Sequence, residues 1–193
     1  MGEKELETFC PASRQDWRAW LIKNHECKQS VWLVYHKKNA GIPTVTYSDA
    51  VDEALCFGWI DSTRISLGSD QFRQFFCKRK PRSVWSKINK EKVRKLIEDG
   101  LMTPAGQVCI ENAIQNGSWT TLDEAEELIV PADLQQQLQS HPGAIIYFER
   151  LSPSAKKAIL QWLVLAKRPE TRQRRIDEIA TLAAQQLKPK QFR

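Results

Sequence analysis

Side chains able to bind a charged or planar molecule are concentrated in two short stretches of the sequence. The first, residues 53–62, places a tryptophan and a carboxylate directly after a glycine, and the second, residues 79–89, is rich in arginine and tryptophan. Arginine forks beside flat aromatic rings suit anionic or planar ligands. The sequence therefore predicts a ligand-binding site made of six residues: Trp59, Asp61, Arg79, Arg82, Trp85 and Asn89.

A predicted β-hairpin brings these two stretches together. Residues 59–67 and 71–78 are rich in strand-forming side chains, and a turn sequence containing glycine separates them. The first strand then begins beside the end of the second, so Trp59 and Asp61 would lie near Arg79 and Arg82. The alternative interpretation is structural: the tryptophans belong to the core, and Asp61 forms an ion pair with an arginine.

The remaining pattern predicts an α+β protein with a small antiparallel sheet and helices in its N-terminal half and an all-helical C-terminal half. Residues 31–37 are expected to add a third strand to the hairpin. We expect an α+β region over 1–100 that carries the candidate site and a helical region over 101–193, packed as one unit. Helices are predicted over residues 13–24, 49–57, 87–99, 104–116, 131–138, 141–150, 153–167 and from Pro169 onward, with a short acidic helix after a capping box that starts at Thr121.

Two of these helices carry specific expectations about caps and buried faces. Ser48 is predicted to cap the helix over 49–57. For the helix over 87–99, spacing predicts a buried stripe of Val93, Leu96 and Ile97, with Lys90 among the cations on its polar face.

Charge is unevenly distributed around a net value of +6. Residues 64–95 hold 11 basic and 2 acidic side chains, residues 96–149 hold 9 acidic and no basic ones, and residues 150–193 hold 11 basic and 3 acidic ones. One interpretation is that the acidic block packs near the basic blocks and their charges partly cancel. The other is a cationic face for an anionic partner, which could be nucleic acid, an acidic protein or a small phosphate ligand.

Composition excludes several classes of protein. A hydrophobic fraction of 41% with 7 Trp, 7 Phe and 3 Tyr excludes disorder throughout, and no apolar run is long enough to span a membrane. Five widely spaced cysteines without a CxxC pair argue against a disulfide framework or a structural zinc site. Because the first residues also lack the pattern of an export signal, we expect a cytoplasmic protein with reduced thiols, and nothing indicates a cofactor or a metal.

Four segments together resemble the bacterial YdeI/OmpD-associated (bacteriocin-protection) family. They are residues 53–62, the stretch from Phe76 to Asn89, residues 100–106 and residues 166–176. The resemblance covers nearly the whole chain, and the pair at positions 77 and 78 departs from the Thr-Pro expected there. It implies a link to protection against cationic antimicrobial peptides or bacteriocins and to an outer-membrane porin, and it implies no catalytic residues.

These observations favour a non-enzymatic cytoplasmic binding module for an anionic ligand, in a stress or peptide-resistance response. Nucleic-acid binding is the second hypothesis, through the basic helix 87–95 and the arginines of residues 172–175, which would otherwise pair with acidic side chains. An enzyme of unknown reaction is the third, with Glu53 and Asp61 as a general acid pair or Cys56 as a thiol. The sequence contains no glycine-rich phosphate loop that would favour it.

Overall fold

A computed structural model describes residues 7–192, and the first six residues, which bear on the export signal, lie outside this range. The predicted α+β class is confirmed, with strands in the N-terminal half and helices alone in the C-terminal half. Four strands are present in the described residues: β1 (Thr8–Phe9), β2 (Ser30–His36), β3 (Trp59–Ser66) and β4 (Gln71–Lys78).

The four strands form one sheet in the order β1-β2-β4-β3. The predicted hairpin of β3 and β4 is confirmed as an antiparallel pair, and β2 joins it antiparallel to β4. The short β1 pairs parallel with β2, which makes the sheet mixed. Since β1 has only two residues, it carries no sequence periodicity from which it could be predicted.

Nine α-helices lie within residues 7–192, close to the predicted positions. They are α1 (Arg14–Asn24), α2 (Tyr47–Cys56), α3 (Lys87–Glu98), α4 (Pro104–Gln115), α5 (Asp123–Glu126), α6 (Ala132–Gln139), α7 (Ala144–Arg150), α8 (Pro153–Val164) and α9 (Pro169–Ala184).

Backbone contacts divide the described chain into two compact units. The first takes residues 7–83 and Ile88–Trp119, and it buries aromatic side chains such as Trp17 and Phe76 between the sheet and its helices. The second takes Val84–Lys87 and residues 120–192, and its core contains Leu134, Phe148 and Ile179. The predicted regions 1–100 and 101–193, packed as one unit, stay a prediction.

Three local predictions are wrong in the structure. Thr46 caps α2 by accepting a hydrogen bond of 3.1 Å from the Asp49 amide, so Ser48 is not the cap. The helix α5 begins at Asp123 after the N-cap residue Leu122, so it starts one residue later than a capping box at Thr121 predicts.

The buried face of α3 also differs from the predicted stripe. Ile97 is 46% exposed, whereas Lys90 is buried together with Val93 and Leu96. Residues 90, 93 and 96 follow each other at three-residue steps, and the long apolar stem of a lysine can occupy such a position. The Lys90 ammonium lies 5.6 Å from the centre of the Trp119 ring, which provides favourable contact for the charge.

Candidate functional site

The site is built where the end of α2 meets the start of α4. The carbonyl oxygen of Cys56 accepts hydrogen bonds from both the amide and the hydroxyl of Thr103, at 3.2 and 2.6 Å. Thr103 also caps α4 by accepting from the Gly106 amide. A Cβ atom on Gly106 would lie 2.3 Å from the Cys56 oxygen, so only glycine allows the two helix ends to approach this closely.

A glycine turn then directs the chain from α2 into β3. Gly58 has a φ of +70°, which favours glycine, and its carbonyl oxygen accepts a hydrogen bond of 2.9 Å from the Arg79 amide. Directly beside it, Trp59 of β3 pairs with Lys78 of β4. A Cβ on Gly58 would also lie 3.2 Å from the backbone oxygen of Ala105, so the turn lies against α4.

A cavity of about 610 Å³ lies beside this junction, within the first unit. Small-molecule sites have volumes of this size. Its lining comes from the C-terminal end of α1, the turn of residues 57–59, the end of β4 and the first part of α4. The lining mixes apolar side chains such as Phe57 and Val108 with the cationic side chains of Lys78 and Arg79.

Two buried hydrogen-bond donors line this cavity. Arg79 is only 8% exposed, and burial lowers the pKa of its guanidinium to about 10, although the nearby Cys109, Asp61 and Cys77 act in the opposite direction. The Trp59 ring is fully buried, and its indole Nε1 has no hydrogen-bond partner among residues 7–192. A partly desolvated cation attracts an anion more strongly than one in water does.

The cavity also contains a thiol and two oriented polar groups. Burial raises the pKa of the Cys109 thiol, and the charge of Arg79 opposes this shift. The Lys78 ammonium donates to the Glu26 carbonyl oxygen at 2.7 Å. The His25 Nδ1 lies 2.9 Å from the Leu21 carbonyl oxygen, which orients the ring.

Two of the six predicted site residues, Trp59 and Arg79, line this cavity together. Asp61 lies outside its lining. One oxygen of the Asp61 carboxylate accepts hydrogen bonds from the Tyr47 hydroxyl at 2.7 Å and from the Gln74 amide at 3.0 Å. The hairpin thus brings Trp59 next to Arg79, while Asp61 is bound two residues further along β3.

The other three predicted residues also lie outside the cavity lining. Arg82 is exposed and Asn89 is half-buried, both in the first unit. Trp85 belongs to the second unit, where its ring is buried. As ligand-binding residues, all six stay a prediction.

Sequence reasoning missed several residues that line the cavity, among them His25, Lys78 and Cys109. For α4, the Thr-Pro sequence correctly predicts where the helix starts and that Thr103 is its N-cap. No local pattern connects His25 to residues more than 30 positions away, because only the packing of α1 brings it there.

The groups considered for catalysis have other partners. Glu53 is 2% exposed, and its carboxylate accepts hydrogen bonds of 2.6 Å from both Arg14 and Arg18. Burial raises the pKa of Cys56 to about 11, with the charge of Glu53 acting in the same direction. No group of three His, Cys, Asp or Glu side chains placed to hold a metal is found within residues 7–192.

The arginines at the start of α9 interact within the second unit. Arg172 donates two hydrogen bonds to the Asp133 carboxylate, at 2.7 and 2.9 Å, so for this arginine the structure shows the alternative of pairing with an acidic side chain. Arg175 lies 4.7 Å from the centre of the Trp162 ring and donates to the Trp162 carbonyl oxygen. Among the described residues, no helix is long and apolar enough to cross a membrane.

Two family models match the chain. Residues 9–109, just over half of its length, match the model described as Domain of unknown function (DUF8412), and this segment contains Trp59, Arg79 and Cys109. Residues 127–186 match the model described as Bacteriocin-protection, YdeI or OmpD-Associated, which confirms the predicted resemblance. No curated protein and no solved structure matches the chain. The chain therefore belongs to the domain family of unknown function DUF8412, and its residues 127–186 are similar to the YdeI/OmpD-associated bacteriocin-protection family.

Proposed function

We propose that this protein is a non-enzymatic module that binds a small anionic ligand in the cavity beside α4. One observation carries the proposal: Arg79, a buried cation, and Trp59, whose buried indole Nε1 has no partner in the described part of the chain, line the same cavity. A buried donor such as this indole N–H is normally satisfied, and an anionic oxygen held near the positive charge of Arg79 would accept from it.

The other cavity walls favour a ligand with an apolar or planar body. Phe57, Pro104 and Val108 supply apolar surface around the two donors. Such a combination of apolar walls and a few polar groups is typical of small-molecule sites. We therefore expect an aryl or alkyl phosphate or carboxylate to bind more tightly than inorganic phosphate.

The local electrostatics add to the attraction for an anion. The N-terminal end of α4 lines the cavity through Thr103 and Pro104, and a helix N-terminus carries a partial positive charge. Lys78 contributes a full positive charge to the same lining. The acidic residue in the lining, Glu26, has a side chain that is 89% exposed, and Asp61, outside the lining, accepts hydrogen bonds from Tyr47 and Gln74.

We favour binding over catalysis because Glu53 and Asp61 each have their own strong partners and do not form an acid pair with each other. The match of residues 127–186 to a bacteriocin-protection family supports a role in stress or antimicrobial-peptide resistance. We propose that this role is exercised in the cytoplasm, where the five cysteines would stay reduced.

Isothermal titration with phenyl phosphate tests the proposal directly. We expect binding by the unaltered protein and a loss of about tenfold or more in affinity for Arg79→Gln, since it removes a charge-assisted hydrogen bond. Arg82→Gln is the matched control, because it removes the same charge from an exposed position outside the cavity lining. Circular dichroism establishes that both variants fold.

Two results would overturn the proposal. The first is the absence of binding heat with phenyl phosphate, inorganic phosphate and benzoate alike. The second is an equal loss of affinity in Arg79→Gln and Arg82→Gln, since it would show that the anion responds to overall charge.

A further inference from the structure

A second pocket, of about 510 Å³, lies in the first unit at the opposite end of the hairpin strands from Trp59. Its lining includes the last residues of β2 and the paired start of β4. It also includes residues of the segment 42–47, which leads into the start of α2. It shares no lining residue with the cavity beside α4.

Two buried hydroxyl groups distinguish this pocket. Tyr35 lines it and is only 1% exposed, and its phenol oxygen has no hydrogen-bond partner within the described range. The buried hydroxyl oxygen of Thr44, another lining residue, likewise has none among residues 7–192. Burying a hydroxyl without a hydrogen-bond partner is unfavourable. Two such hydroxyls in the lining of one pocket therefore indicate that a polar group of a ligand would bind to them.

The body of such a ligand would contact apolar surface. The rings of Tyr35 and Phe72 are stacked with their centres 4.7 Å apart, and both residues line the pocket. Val45 and Ile42 add aliphatic surface to the same lining. The Arg64 guanidinium lies 3.8 Å from the centre of the Phe72 ring, so this cation is already in contact with an aromatic face.

The charged groups around the pocket favour an uncharged ligand. The Lys37 ammonium donates to the Gly68 carbonyl oxygen at 3.0 Å, and the His36 Nδ1 lies 3.4 Å from the Gln71 amide nitrogen. Burial raises the pKa of Tyr35, and the negative charge of Asp61 raises it further. This carboxylate would repel an anion from the Tyr35 hydroxyl.

We infer that this second pocket binds a small uncharged molecule with an apolar body and a carbonyl or hydroxyl head, which the Tyr35 and Thr44 hydroxyls would hold. Each hydroxyl can donate to a carbonyl oxygen or accept from a hydroxyl of the ligand. The inference does not depend on the anion proposed for the cavity beside α4.

The test compares three probes of similar size, each added to the full chain and followed by backbone amide NMR. Benzamide carries an uncharged carbonyl, toluene carries no polar group, and benzoate carries a negative charge. We expect benzamide to shift the amide signals of Thr44, Val45 and Tyr47, with an affinity about tenfold higher than that of the other two probes. Equal or tighter binding of benzoate or toluene at these residues would overturn the inference, as would no shift with millimolar benzamide.

Two conservative variants separate binding from folding. Tyr35→Phe and Thr44→Val remove only the hydroxyls, and each is expected to weaken benzamide binding about fivefold or more. Without a probe, Tyr35→Phe should unfold at the same temperature as the unaltered protein or at a higher one, because it removes a buried group without a partner. A lower unfolding temperature for Tyr35→Phe, or unchanged benzamide affinity in both variants, would contradict the assignment. Benzamide binding should persist in Arg79→Gln, which keeps this test independent of the first cavity.

Discussion

The backbone amide of Arg79 donates a hydrogen bond of 2.9 Å to the carbonyl oxygen of Gly58. This contact fixes the end of β4 against the turn that precedes β3, and so it places Arg79 and Trp59 in the lining of one cavity. Because Gly58 also lies against α4, the same turn sets one wall of the cavity. The proposed anion site depends on that local arrangement.

At the junction of α2 and α4, replacing a helical glycine by alanine is expected to destabilise the protein rather than stabilise it. Gly106→Ala would normally stabilise a helix, but here the added Cβ would lie 2.3 Å from the Cys56 oxygen. We expect it to lower the free energy of unfolding by about 1–3 kcal/mol in urea denaturation. Gln107→Ala, an exposed neighbour in α4, should change it by less than about 0.5 kcal/mol. A stabilised Gly106→Ala protein would show that the helix ends do not meet as described.

Two carboxylates that pair with arginine, one buried and one more exposed, should contribute differently to the free energy of unfolding. Glu53 is 2% exposed between Arg14 and Arg18, so Glu53→Gln removes the buried carboxylate that these two partly buried cations share. We expect it to lower the free energy of unfolding by about 3 kcal/mol. Asp133→Asn, at the more exposed pair with Arg172, should lower it by less than about 1 kcal/mol. Equal effects in urea denaturation would contradict the assigned role of burial.

The Tyr47 phenol predicts a loss of stability at alkaline pH. Burial raises its pKa from 10.0 to about 12, and the hydrogen bond to Asp61 adds to the shift. Because the folded pKa lies above the unfolded one, this contribution is fully present below pH 10 and is lost as pH rises towards about 12.

Tyr47→Phe should therefore lose less stability than the unaltered protein between neutral pH and about pH 11, measured as urea midpoints. Some alkaline loss should persist in this variant, because the pKa of Tyr35 is shifted in the same direction. Identical alkaline losses with and without the Tyr47 hydroxyl would show that its hydrogen bond to Asp61 has no influence on stability.

The Cys109 thiol reports on occupation of the cavity that it lines. Alkylation by iodoacetamide, followed at each cysteine by mass spectrometry, should be about tenfold slower at Cys109 when phenyl phosphate is present at about ten times its Kd. Cys27 is exposed and lies outside the lining, so its rate should not change. In Arg79→Gln the same concentration should give little protection. Protection of Cys27 to the same degree would indicate a general effect on the reagent.

The hairpin shows what local sequence could predict. Its two strands, its turn and the proximity of Trp59 to Arg79 all follow from strand propensity and a glycine-containing turn. The sequence also predicts the helix starts at Ser13 and Thr103 correctly, because a cap acts within one turn of its own helix.

Features of the site that depend on contacts between distant elements could not be predicted from the sequence. The cavity is lined by His25, which follows the last residue of α1, by Cys109 of α4 and by Trp59. No spacing in the sequence predicts that these three residues lie close together. The buried face of α3 differs from the predicted stripe for the same reason, since Lys90 is buried near the ring of Trp119, a residue from a distant part of the sequence, while Ile97 is exposed. The partners of Asp61 likewise depend on how α2 packs on the sheet.

The indole N–H signal of Trp59 offers the most direct test of the proposed anion site. In a ¹H–¹⁵N spectrum of the full chain, this signal is identified by its disappearance in Trp59→Phe. If Trp59 Nε1 donates to a bound anion beside Arg79, phenyl phosphate will move the signal downfield in a saturable manner, and Arg79→Gln will abolish the movement. A Trp59 signal that stays in place while phenyl phosphate binds elsewhere on the protein would contradict the account.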